Sequence, residues 1–116
     1  MALAVCRAVK VLCVAHDEES LSALRRATTA AEWELTPGAT TDTDALGVID
    51  AERPHALVAF GGFEHLVSLV RDRFPAIRIV TDRDTPGASA VAPTREDVRE
   101  VLRSLARPGG PILESS

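Results

Sequence analysis

Short, nearly continuous apolar runs alternate along this chain with longer stretches whose apolar residues recur every three or four positions. Val9–Val14, Trp33–Leu35, His55–Phe60 (HALVAF), Ile77–Val80 and the weaker Ala88–Ala92 read as strands. The first and third are apolar enough to be covered on both faces. Asp17 is placed to cap a helix running to Ala31, with Glu18 and Glu19 in its first turn and Leu21, Leu24, Ala27 and Ala31 inward. Thr41-Asp42-Thr43-Asp44 opens a second helix with Leu46, Val48 and Ile49 inward, ending before Pro54. Phe63, Leu66, Val67, Val70 and Phe74 mark a third. Thr94 and Asp97 resemble a capping box for a final helix with Val98, Val101, Leu102 and Leu105 on one face. Strands alternating with amphipathic helices predict an α/β, doubly wound parallel sheet.

With 116 residues and 46% hydrophobic content, the chain is expected to form one domain over residues 1–106, with 107–116 (RPGGPILESS) a flexible C-terminal tail. The net charge of −4, the absence of Tyr and the lack of a basic stripe argue against nucleic acid as a partner. The opening ALAVCRAVKVLCVA is interrupted by Arg7 and Lys10, and reads as neither a signal peptide nor a membrane span. Cys6 and Cys13 have no metal-ligand spacing and are expected to be buried thiols in a reducing, cytoplasmic setting.

Ligands of such sheets sit at the carboxyl ends of the strands. The positions to inspect are therefore Ala15 to Asp17, Phe60 to Gly62, Thr81-Asp82 and Ala92-Pro93. VLCVAHDEES, ERPHALVAF, IRIVT and AVAP, in this order and spacing from Val9 to about Ala106, resemble the receiver domain of bacterial response regulators. The resemblance implies a flavodoxin-like sheet of five strands in the order 2-1-3-4-5. It also implies a site made of a phosphoacceptor carboxylate, two Mg²⁺-binding carboxylates, a hydroxyl and a lysine.

Matched position by position, that chemistry is missing. The acceptor position is Phe60, the metal pair falls on Ala15 and His16, and the lysine position is Ala92; only Thr81 and Pro93 are kept. Phe60 has no oxygen to phosphorylate, and neither Ala15 nor His16 suits Mg²⁺. Asp17, Glu18 and Glu19 then read as a helix cap and first-turn charges, and His16 as a helix-entry residue making a local hydrogen bond. Phe60 is expected to fill the space that metal and phosphate occupy in the family.

Six residues, Asp82 to Gly87, separate Thr81 from Ala88, so the family's fourth helix is expected to be missing or replaced by a short loop. That predicts thin cover near Ile79, Ala90 and the last helix. The resulting expectation is a degenerate receiver without catalytic residues, metal or cofactor. It contacts a protein partner, or a second copy as a homodimer, through Ala90, Arg95, Arg99 and Leu102, and no membrane. The alternative is a small-ligand site for a nucleotide or flavin, built on Gly61-Gly62 and Thr40 to Thr43.

Overall fold

The computed structural model describes residues 9–30 and 33–106. The expectations for Cys6, Ala31 and the tail 107–116 lie outside the described residues.

Five parallel strands form one sheet in the order β2-β1-β3-β4-β5. They are β1 (Val9–Val14), β2 (Trp33–Leu35), β3 (Ala56–Ala59), β4 (Arg78–Thr81) and β5 (Ala90–Val91). Four helices connect or follow them: α1 (Glu18–Thr28), α2 (Asp42–Glu52), α3 (Glu64–Arg73) and α4 (Val98–Ala106). This is the predicted receiver-like, flavodoxin-like fold, with no helix between β4 and β5. No helix among the described residues is long and apolar enough to cross a membrane.

The two-residue period of the strands sorts side chains between two cores. Val11, Cys13, Ala56, Val58 and Val80 face α1 and α4, where Leu21, Leu24, Val98 and Leu102 meet them. Leu12, Val14, Leu57, Ala59 and Ile79 face α2 and α3, against Ala45, Ile49, Leu66, Val67 and Val70. All four residues of β3 are buried, as a central strand covered on both faces requires.

Several boundaries differ from the sequence reading. Helix α1 stops at Thr28, short of Ala31. The hydroxyls of Thr28 and Thr29 donate back to the carbonyls of Leu24 (2.7 Å) and Arg25 (2.8 Å), and Trp33 Nε1 donates to Thr28 O at 2.7 Å. These bonds satisfy the last-turn carbonyls and close the helix. Strand β3 is shorter than His55–Phe60, and β5 shorter than Ala88–Ala92. Residues Thr94 and Asp97 do not form a capping box. Asp97 N–H closes a 3₁₀ turn on Thr94 O (3.1 Å), so the Thr94 hydroxyl turns to the Asp97 carboxylate instead (3.0 Å).

The β4–β5 link explains how a parallel crossover manages without a helix. Because β5 pairs only with Val80 and Thr81, the chain needs to drop back by barely two residues before re-entering the sheet. Residues 82–89 do this as a strap. Ser89 N–H donates to Ile79 O (2.7 Å), Ile79 N–H to Ser89 Oγ (3.0 Å), and Thr85 is buried. Ile79 is therefore not thinly covered as expected: strap and α3 leave it 1% exposed. Among the described residues, the exposed large hydrophobic is Val91, 37% exposed on the edge strand. Leu102 is likewise no surface residue. At 4% exposure it belongs to the core beneath α4, because that helix turns its whole apolar face onto the sheet.

Candidate functional site

The carboxyl ends of β1, β3 and β4 surround a concavity of about 260 Å³. Ala15, His16 and Asp17 enter it from the β1–α1 junction, with Ser20 and Leu24 of α1 behind them. Phe60 and Gly61 come from the end of β3, Asp82 from the end of β4, and Arg95 from the 3₁₀ turn before α4. The registers Val14↔Ala59 and Ala59↔Thr81 bring these strand ends level.

His16, Asp17 and Asp82 there already have structural work. Asp17 caps α1, accepting from Ser20 N–H at 2.7 Å. That backbone bond is the main reason its carboxyl lies below the usual carboxylate range; the nearby His16 adds a smaller pull. His16 does not bond locally, contrary to expectation. Its Nε2 donates across the site to the Gly61 carbonyl, and its ring stacks on Phe63 with centroids 4.8 Å apart. Gly61 permits this close approach, since it adopts φ +109° and a Cβ there would meet the His16 ring at 2.5 Å.

Opposite, Gly61 N–H donates to Asp82 Oδ1 (3.3 Å), and Asp82 Oδ2 lies 3.5 Å from Arg83 Nη2. Buried Thr81 donates its hydroxyl to Arg83 O at 2.5 Å, turning it into the β4–β5 strap. Ala92 is fully buried in the α1/α4 core, and Pro93 beside it is exposed. Phe60 is half-buried. It packs against the same core and forms one wall of the concavity rather than filling it.

A divalent cation of the kind receiver domains hold does not fit this donor set. Mg²⁺ wants an octahedron of oxygens. The three positions that would supply them carry a methyl group, an imidazole engaged with Gly61, and a phenyl ring. Among the described residues, no three of His, Cys, Asp and Glu come together as a metal-binding group.

The chain superimposes on receiver domains of known structure. The receiver domain of an HD domain-containing protein from Pseudomonas fluorescens Pf-5 matches with a TM-score of 0.68 at 17% identity, over 95% of this chain and 100% of that one. The chemotaxis response regulator CheY4 of Vibrio cholerae matches with 0.69 at 17% identity, over 85% and 99%. CheY6 from R. sphaeroides, in a complex with the phosphorylated P1 domain of CheA3, matches with 0.68 at 16% identity, over 84% and 95%. The likeness is one of fold. No protein-family model matches the chain, and no curated protein matches it at a significant level.

Of the seven positions that sequence reasoning grouped, Ala15, His16, Asp17 and Phe60 line the concavity, whereas Thr81, Ala92 and Pro93 do not. Asp82 stood among the strand-end positions to inspect without a role, and the reading missed that Arg95 completes the rim and that Phe63 holds His16. The Asp82–Gly61 and His16–Gly61 bonds span 21 and 45 residues, and no local pattern announces them.

Proposed function

We propose that this domain is a pseudo-receiver: a module with the receiver fold that takes no phosphoryl group and acts by binding protein. The observation that carries the reading is Phe60, a hydrocarbon side chain at the end of the central strand where the resemblance calls for the acceptor carboxylate. Three features support it. The metal positions offer no oxygen pair, the lysine position is a buried alanine, and the Thr81 hydroxyl is turned to Arg83 O.

In such a site the loops are bonded to one another instead of to a ligand. His16 ties α1's start to the β3–α3 loop, and Asp82 ties that loop to the strap. These two bonds cross-link the loops around the concavity. The matched CheY6 structure is itself a complex with a protein domain, which supports protein as the class of partner. The contact we propose uses half-buried Ala90 and exposed Val91, Arg95 and Arg99, on the edge strand, the 3₁₀ turn and the outer side of α4, for a partner or a second copy. Sedimentation tests it: Val91→Asp or Arg99→Glu is expected to weaken association without unfolding the monomer.

A nucleotide or flavin site at Gly61-Gly62 and Thr40 to Thr43 is less well supported. Gly61 N–H is donated to a carboxylate, and the Thr41 hydroxyl caps α2 by accepting from Asp44 N–H (3.1 Å). Asp17 and Asp82 also line the concavity, where they repel phosphate. The test of the phosphoryl reading is incubation with acetyl phosphate and Mg²⁺ followed by intact-mass measurement. No mass gain is expected for this chain or its Phe60→Asp variant; a gain of one phosphate on either overturns it.

A further inference from the structure

At the opposite end of the sheet, beneath the last turn of α4, lies a second concavity of about 320 Å³. Its floor is apolar: Val9 and Val11 of β1, Trp33 of β2, Ala56 of β3, and Leu102 and Leu105 of α4. Its rim carries exposed His55 and Arg78. Nothing in the proposed function uses this groove, and it lies at the amino-terminal ends of β1 and β3, away from the vestigial site.

We infer that this groove is the docking site of Pro111, Ile112 and Leu113 of the same chain. Three observations bring the segment there. Leu105, which lines the groove, is followed after one residue by the end of α4 at Ala106, so residues 107–116 start at its edge. The next residues, Arg107-Pro108-Gly109-Gly110, are a chain-reversing sequence, and four residues span at most about 14 Å. A turn there would bring the following residues back under the helix. The three that return are all apolar, and Glu114 comes directly after them, matching an apolar floor with a basic rim at Arg78.

The groove supplies its own probe, since Trp33 is the chain's single tryptophan and lies in its wall. The test uses the full chain with Leu113→Asp, Ile112→Asp, and Val5→Asp as a comparison from the other terminus. At a concentration where sedimentation shows a monomer, Leu113→Asp and Ile112→Asp are expected to shift Trp33 emission to the red and increase its acrylamide quenching. They are also expected to lower the melting temperature by several degrees while leaving the far-UV circular dichroism unchanged. Arg78→Glu is expected to reproduce part of the shift, and adding Glu114→Arg to it to reverse that part.

An unchanged Trp33 signal in both tail variants overturns the inference. So does a shift produced by Val5→Asp alone, which would assign the groove to the amino-terminal segment. A shift that appears only as the chain self-associates overturns it as well, by assigning the groove to a second copy. The charge swap reads the same contact without placing a charge in the apolar floor.

Discussion

Replacing Phe60 by alanine separates a ring sealed into the core from one that only walls an open concavity. A fully enclosed phenylalanine costs about 3–5 kcal/mol on truncation, part of it from the cavity left behind. Phe60 is only half-buried, one side packed on the α1/α4 core and the other facing an open concavity. Water can enter the vacated space, so the cavity contribution drops out. What remains is transfer of the ring, about 1.5–3 kcal/mol for a wholly buried aromatic or aliphatic side chain. Scaled to the buried part of Phe60, the expected cost is about 1–2 kcal/mol, or a fall in melting temperature of roughly 4–8 °C for a domain of this size. Urea unfolding monitored by Trp33 fluorescence, with an unchanged denaturant slope, measures it. A loss above about 3 kcal/mol would refute the reasoning by showing a sealed core around Phe60. A loss below about 0.5 kcal/mol would refute it the other way, by showing a ring that lies on the surface.

Three further outcomes follow from burial and capping. Leu102→Ala is expected to cost about 3–5 kcal/mol, more than Phe60→Ala, and Leu102→Asp to leave the domain unfolded by circular dichroism, because Leu102 is core at 4% exposure. Burial pushes the Cys13 thiol up to about 11. The folded state therefore keeps its proton more tightly than the unfolded one, stability declines as pH rises from about 9 towards 11, and iodoacetamide at pH 8 is expected to modify Cys13 only after denaturation. Asp17 shows the opposite sign. Its lowered value means that the stability it contributes is present above an unfolded carboxyl's pKa of about 3.9 and is lost as pH falls through the folded value. Asp17→Asn is expected to flatten that acid slope in a melting-temperature series.

The elements most legible in the sequence were those whose own pattern decides them. The apolar runs Val9–Val14 and HALVAF read as strands covered on both faces, the second trimmed to Ala56–Ala59 in the structure, and the Val98, Val101, Leu102, Leu105 spacing read as a helix face. What the spacing of α4 does not contain is which surface that face meets. Leu102 was accordingly expected at a partner contact, whereas the helix seals the sheet with it. The end of α1 depended on threonine hydroxyls and on Trp33 reaching back, which are tertiary matters. The strap's ability to cover Ile79 came from the shortness of β5, and a two-residue strand has too little periodicity to be measured in advance. At the candidate site the residue identities were readable but their bonds were not. A histidine that leaves a metal position can bond anywhere its ring reaches, and only the fold brings Gly61 and Phe63 within that reach.

The central claim is that this receiver-shaped site cannot hold a phosphoryl group, and beryllofluoride tests it most directly because that anion mimics the bound phosphoryl without requiring transfer. Amide ¹H–¹⁵N spectra of the full chain would be recorded before and after addition of Mg²⁺ and beryllofluoride, following Ala15, Gly61, Asp82 and Ala92. The account predicts superimposable spectra, with those four amides unmoved at saturating ligand. Saturable shifts at Gly61 and Asp82 that require both Mg²⁺ and beryllofluoride would contradict it.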